Sequence, residues 1–154
     1  MKREGLLSVG MLIVALAITL GAGFIGSQFP PGQWYEQLAK PDWNPPDAVF
    51  GPVWTTLYLA MGTAAWLVWR AGGLRQTAVH LAVYFLQLVL NAAWSWVFFG
   101  LHLMGWALVV LVALWLTLLI VFFLFRRHSG IAAWLIVPVL AWVAFAGALN
   151  FALL

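Results

Sequence analysis

The sequence lacks cysteine, which excludes disulfides, thiolate nucleophiles and sulfur-ligated metal sites. It also has few charges, since charged residues make up 7% of its 154 residues, against roughly 25% in soluble domains. Hydrophobic residues make up 66% of the chain, and the mean hydropathy is +1.03. This composition predicts an integral membrane protein, and the net charge of +3 gives no reason to expect a nucleic-acid partner.

Five apolar runs are each long enough to cross a bilayer, which takes about 20 residues. We predict one all-α domain over 1–154, a bundle of five transmembrane helices with spans at about 6–27, 48–69, 77–99, 103–125 and 131–153. The first run is too long for the core of a signal peptide, so we interpret it as a helix. The connection 28–47 holds five of the seven prolines, which predicts an extended, structured loop between the first two helices.

Positive charges indicate the orientation of such a bundle, because Lys and Arg concentrate in cytoplasmic loops. Only Lys40 falls on the side of the long loop. The other six cations fall on the opposite side: Lys2, Arg3, Arg70, Arg75, Arg126 and Arg127. We therefore predict a multi-pass protein of a bacterial cell membrane, with a cytoplasmic N-terminus and an external C-terminus.

None of the five predicted spans carries a charge at its middle, which argues against an ion pump. The third span instead carries Gln87, Asn91 and Ser95 at a spacing that places them on one helix face. That polar face either bonds neighbouring helices or lines a ligand pocket. For the lone amide of Asn150 in the fifth span, we favour bonding between helices.

Tryptophan is abundant, with eleven residues against three tyrosines. Anchoring at the membrane boundaries explains four of them: Trp66, Trp69, Trp106 and Trp134. Another five need a different explanation, such as an internal surface: Trp34, Trp43, Trp54, Trp94 and Trp142. The excess of indoles is the first indication of a binding site for an aromatic ligand.

Classical catalytic sets are missing from the sequence. The histidines His80, His102 and His128 fall near the ends of spans and show no zinc-binding spacing. The long loop holds Glu36, Asp42 and Asp47, which either form a weak metal or acid–base site or, as we favour, a solvated surface. We predict no metal site, no obligatory cofactor and no classical enzyme mechanism.

Several strings around the long loop and in later helices resemble one family. They include Trp34-Tyr35, Trp43-Asn44-Pro45-Pro46, the run Phe50-Gly51-Pro52-Val53-Trp54, then Gln87-Leu88, Asn91, Trp94-Ser95, Trp142 and Leu149-Asn150. The chain resembles the TspO/MBR family, the tryptophan-rich sensory proteins related to the mitochondrial translocator protein or peripheral-type benzodiazepine receptor. The resemblance runs nearly from end to end.

The resemblance implies a homodimer of five-helix bundles in contact with membrane lipid, with a pocket under the long loop. The expected ligands are porphyrins such as protoporphyrin IX, haem-like tetrapyrroles and other flat aromatic molecules. Carried over position by position, the implied ligand-binding residues are Tyr35, Trp43, Trp54, Gln87, Asn91, Trp94, Trp142 and Ala146.

Three functions remain open for such a protein. It is expected to act as a receptor or sensor that regulates tetrapyrrole levels or a stress response. The first alternative is light-dependent porphyrin breakdown beside Trp34, Trp43 or Trp142. The second alternative is transport of tetrapyrroles or lipids, which five helices without inverted repeats make less favourable.

Overall fold

The computed structural model describes residues 2–154, and all its regular secondary structure is helical. The α-helices are α1 (Lys2–Ser27), α2 (Gly32–Glu36), α3 (Asp47–Ser95), α4 (Met104–Arg126) and α5 (Gly130–Ala152). A π-helix, Trp96–Gly100, continues α3. Within this part of the chain, four helical stretches are long and apolar enough to cross a membrane: α1, α4, α5 and α3 together with the π-helix.

Gly73 divides α3 into two segments, 47–72 and 74–95, because its backbone is not helical (φ 68°, ψ 169°). The segments fold back on each other. Tyr58 in the first segment bonds Asn91 in the second, and Met61, one turn further along, contacts Gln87, one turn back. The positive φ explains the glycine at this turn, since other residues adopt it at a cost. The chain thus makes five helical passes, and the predicted all-α membrane bundle is confirmed.

The core lies where both segments of α3 meet α4 and α5. Its fully buried side chains include Met61, Leu118, Phe125 and Ile136. Helix α1 packs on one side of α3 through close contacts at glycine: a Cβ on Gly62 would lie 2.8 Å from Leu16. Much of α1 is exposed, as expected of a helix that faces lipid.

The two ends of the bundle differ, because one is covered by the long loop and the other carries most of the positive charges. At the loop end, residues 28–47 cover the helices near 95–104 and 145–153. At the arginine end, residues 2–8, 66–80 and 126–132 meet, and His80 contacts His128 with ring centroids 4.7 Å apart. Six of the seven lysines and arginines lie at the arginine end.

The loop 28–47 is less extended than its prolines predict, because α2 forms in its middle. A small hydrophobic cluster around Tyr35, Phe98 and Ala107 holds the loop on the π-helix and α4. Trp34 stacks on His102 with ring centroids 4.1 Å apart and an interplanar angle of 9°. The loop is therefore a packed cover at one end of the bundle.

Candidate ligand-binding site

A cavity of about 530 Å³ lies beneath the loop, between α1 and the two segments of α3. Helices α4 and α5 contribute none of its lining residues. Its walls are mainly aromatic and small side chains, and Phe24, Gly51 and Thr55 on its rim are exposed. The cavity is therefore open on one side, towards the surface where α1 and the first segment of α3 meet.

One aromatic wall comes from the first segment of α3. Phe50, Trp54 and Tyr58 are spaced four residues apart and so lie on the same helix face. Trp54 stacks on Tyr58 with ring centroids 5.7 Å apart. The opposite wall is formed by Trp94 in the second segment and by Phe99 in the π-helix, whose rings meet edge to face. Flat aromatic ligands can stack on such surfaces.

The most buried polar side chain that lines the cavity is Asn91, which is 3% exposed. The Tyr58 hydroxyl donates to Asn91 Oδ1 at 2.9 Å. Asn91 Nδ2 is buried and finds no hydrogen-bond partner among residues 2–154. A buried donor without a partner is costly, and a ligand oxygen in the cavity would satisfy it.

Close packing of α1 positions Tyr58. Gly23 lines the cavity, and a Cβ at Gly23 would lie 2.6 Å from Tyr58 Cε2. The tyrosine ring therefore occupies space that only glycine leaves free. Through this contact α1 sets the position of the hydroxyl that orients Asn91.

The roof of the cavity is Tyr35 of α2, which is 6% exposed. The Lys40 ammonium lies 4.3 Å from the centre of its ring, a cation–π contact. Burial raises the pKa of the Tyr35 hydroxyl, Asn44 partly offsets the rise, and the charge of Asp47 adds to it. The hydroxyl therefore stays protonated at neutral pH and can donate a hydrogen bond.

Of the eight residues implied by the resemblance, four line this cavity: Tyr35, Trp54, Asn91 and Trp94. Trp142 lies behind Trp54, with ring centroids 6.4 Å apart, and its buried indole nitrogen has no partner within residues 2–154. Gln87 is fully buried one turn below Asn91, where its Nε2 lies 3.5 Å from the sulfur of Met61.

The remaining predicted residues lie further away. Ala146 is 8% exposed and belongs to the main core. Trp43 is half exposed and meets Phe145 edge to face. Trp34, the third residue considered for porphyrin breakdown, stacks on His102 above the π-helix. None of these three side chains lines the cavity.

The polar face of the third predicted span serves both of the roles considered for it. Asn91 and Ser95 line the cavity, whereas Gln87 lies inside the helix packing. Asn150 of α5 hydrogen-bonds to neighbouring helices, the role that we favoured from the sequence. Its Oδ1 accepts from Trp94 Nε1 of α3 at 3.2 Å, and its Nδ2 donates to Met104 O of α4 at 2.9 Å.

Sequence reasoning missed several lining residues, of which Tyr58 matters most. Its spacing of four from Trp54 was a usable signal, because both lie on one helix face. Gly23 also lines the cavity, and a glycine in an apolar helix gives no comparable signal. The loop residues Phe29 to Pro31 and the acid Asp47 carry no periodic signal, so their position under the roof could not be read from the sequence.

Within residues 2–154 no three side chains of His, Asp or Glu converge as a metal site. Glu36 and Asp42 are exposed on the loop, and Asp47 lies at the cavity mouth. The histidines contact aromatic rings instead: His80 meets His128 and His102 meets Trp34. The chemistry that the cavity offers is aromatic stacking plus a few neutral hydrogen-bonding groups and one carboxylate.

Comparison with known proteins gives the same family throughout. The sequence model of the TspO/MBR family matches residues 11–154. The human translocator protein is 46% identical over 141 residues, which cover 88% of this chain and 83% of the human protein. The tryptophan-rich protein TspO of Chlorobaculum tepidum is 42% identical over 147 residues, 93% of each chain. Protein CrtK of Rhodobacter capsulatus is 37% identical over 146 residues, covering 94% and 91%. This chain therefore belongs to the TspO/MBR family of integral membrane proteins.

Proposed function

We propose that the protein is a membrane receptor that binds a tetrapyrrole, such as protoporphyrin IX or a haem-like molecule, in the cavity under the loop. The observation that carries the proposal is the buried donor of Asn91, which has no partner among residues 2–154, in a cavity with aromatic walls. A flat macrocycle would stack between these walls, and one of its oxygen or nitrogen acceptors would receive the Asn91 hydrogen bond.

The size and opening of the cavity support such a ligand. Its volume of about 530 Å³ lies within the range of roughly 300–1,000 Å³ that small-molecule pockets span. Because Phe24, Gly51 and Thr55 on its rim are exposed, a ligand larger than the cavity can extend beyond it towards the bilayer. An apolar ligand dissolved in lipid would reach this opening without crossing water.

A sensing role needs a part of the protein that responds to the occupant. The roof residue Tyr35 and the wall residue Phe99 contact each other with ring centroids 5.6 Å apart. A ligand between the walls therefore touches both the loop and the π-helix. Its presence would change how the loop packs, and that change would be the signal that regulates tetrapyrrole levels or a stress response.

Titration of the purified protein with protoporphyrin IX in the dark tests this proposal, with tryptophan quenching and porphyrin absorbance as readouts. We expect saturable binding with an unchanged porphyrin spectrum. Asn91→Leu should weaken the affinity roughly fivefold, the effect of about one lost hydrogen bond. Tyr58→Phe keeps Asn91 Nδ2 and should have a smaller effect. Non-saturable quenching, or equal affinities for all three proteins, would refute the site.

Light-dependent porphyrin breakdown is a second candidate, favoured by the contact between Trp54 and Trp142. Trp54 lines the cavity, so the pair offers two oxidisable indoles in series next to a bound porphyrin. Illumination of the same samples in air tests it. Breakdown should require the protein and fall in Trp142→Phe, whereas Trp134→Phe, at an indole that is 70% exposed, should not change it. A stable porphyrin spectrum under light would exclude this activity.

A further inference from the structure

A second cavity lies at the arginine end, at the opposite end of the bundle from the proposed ligand site. It has a volume of about 600 Å³ and lies between the start of α1 and the turn of α3. Its lining shares no residue with the first cavity. The lining residues are Glu4, Gly5, Leu7, Ser8, Trp69, Arg70 and Gly73.

The positively charged side chain of this second cavity, Arg70, is held in place by neighbouring residues. The Arg70 guanidinium carbon lies 5.3 Å from the centre of the Trp66 ring. The indole N–H of Trp66 donates to the backbone oxygen of Ser8 at 2.8 Å, which ties it to α1. Stacking on an anchored ring limits the motion of the guanidinium, so Arg70 is preorganised to meet an anion.

The same cavity also holds a carboxylate and apolar groups. Glu4 lies on α1 across from the segment that bears Arg70. Leu7 is 61% exposed, and Trp69 is partly exposed, a combination typical of the boundary between lipid and water. The occupant that matches these groups has a phosphate, a positive amine and an attached apolar chain.

We propose that this cavity binds the headgroup of an amine-bearing phospholipid. The Arg70 guanidinium bonds the phosphate, the Glu4 carboxylate accepts hydrogen bonds from the primary ammonium, and the acyl chains lie along the exposed surface at Leu7. The other cations at the arginine end attract phosphate without selecting among headgroups. Glu4 provides the selection, because a quaternary ammonium has no N–H to donate.

Native mass spectrometry of the purified full-length protein tests the proposal, with phosphatidylethanolamine and phosphatidylcholine of identical acyl chains. The wild type should bind phosphatidylethanolamine more tightly. Arg70→Gln should weaken its binding about tenfold, the effect of one lost hydrogen bond to a charged group. Arg75→Gln is the matched control, because Arg75 lies at the same end but does not line the cavity. Glu4→Gln should make the affinities for the two lipids equal.

Several results would overturn the proposal. Equal affinities of the wild type for the two lipids would show that Glu4 selects nothing, and equal losses in Arg70→Gln and Arg75→Gln would indicate general attraction. Soluble phosphoethanolamine that binds as tightly as the lipid would contradict a lipid site. If circular dichroism shows that Arg70→Gln does not fold, two other variants decide. Arg70→Lys should weaken binding less than about tenfold, because it keeps the charge. An unchanged lipid preference in Glu4→Gln refutes the proposal.

Discussion

At the residue scale, Asn91 and Asn150 both lie in apolar spans, but their side-chain amides make different hydrogen bonds. Asn150 uses both ends of its amide to join Trp94 to Met104. Asn91 uses only its oxygen, which accepts from Tyr58, and its buried Nδ2 has no hydrogen-bond partner within residues 2–154. Buried donors usually have a partner, and Asn91 lines the cavity whereas Asn150 does not, so Asn91 is the asparagine that we propose to meet the ligand.

Gly23 gives a prediction at this scale, because its missing side chain makes room for Tyr58. In Gly23→Ala the new Cβ would lie 2.6 Å from the tyrosine ring, so Tyr58 must move and its bond to Asn91 breaks. We expect a several-fold weaker affinity for protoporphyrin IX in the dark titration. Gly21→Ala is the matched control.

The control is informative because a Cβ at Gly21 would meet nothing within 4 Å. Alanine is favoured over glycine inside helices by up to about 1 kcal/mol. Gly21→Ala should therefore keep the affinity and be equally or more stable to heat. If both alanine variants bind like the wild type, the contact between Gly23 and Tyr58 does not shape the cavity.

At the element scale, the loop is attached to the π-helix region through aromatic contacts. Trp34 stacks on His102, and a Cβ at Gly100 would lie 3.1 Å from Phe29. His102 adopts a positive φ of 58°, which is unusual for a residue with a side chain. The stacking of the His102 ring on Trp34 offsets the cost of this backbone conformation.

Variants of His102 should therefore loosen the loop. His102→Ala loses the stack and keeps the unfavourable φ, whereas His102→Gly loses the stack and removes the strain, worth about 1 kcal/mol. In hydrogen–deuterium exchange of the ligand-free protein, amides of residues 28–47 should exchange faster in both variants. The glycine variant should melt at a higher temperature than the alanine variant.

His128→Ala is a suitable control for this experiment, because His128 lies at the arginine end. It should leave exchange in the loop unchanged. Exchange in His102→Ala that matches the wild type would show that the stack does not hold the loop.

The elements also show how far sequence reasoning reaches. The apolar runs and the polar face of Gln87, Asn91 and Ser95 were sufficient to predict the helices and part of the site. The rotation of each helix about its axis was not predictable, because α1, α4 and α5 are apolar on nearly all sides and carry little periodic signal. That rotation is set by packing, and it places Ala146 in the core.

Local backbone features were equally hard to predict. The connection between the predicted spans 48–69 and 77–99 is reduced to a single non-helical residue, Gly73, and no sequence pattern marks which residue makes the turn. Helix α2 forms among prolines, and the π-helix forms where Gly100 allows Phe29 to approach. Helix α2 and the π-helix both involve contacts between distant parts of the chain.

At the scale of the whole molecule, charge distinguishes the two ends. Lys40 is the one cation at the loop end, whereas the arginine end carries six. The positive-inside rule predicts that the arginine end faces the cytoplasm, which would place the cavity under the loop in the outer half of the membrane. The expected homodimer stays a prediction at this scale.

The absence of cysteine makes the orientation simple to measure. Single cysteines can be introduced at Gln37, exposed in the loop, and at Gln76, exposed near the α3 turn. A membrane-impermeant maleimide added to intact cells should label Gln37→Cys and leave Gln76→Cys unlabelled until the cells are opened. The reverse pattern would show that the loop and its cavity face the cytoplasm.

We propose that a tetrapyrrole lies in the cavity and accepts a hydrogen bond from Asn91. The chain has three asparagines, Asn44, Asn91 and Asn150, so selective ¹⁵N-asparagine labelling gives three side-chain amide signals that single substitutions assign. During a dark titration with protoporphyrin IX, the Asn91 signal should shift and saturate together with tryptophan quenching. The Asn150 signal should shift much less, because both ends of its amide are already hydrogen-bonded. Saturable quenching with an unmoved Asn91 signal would contradict the account and place the ligand elsewhere.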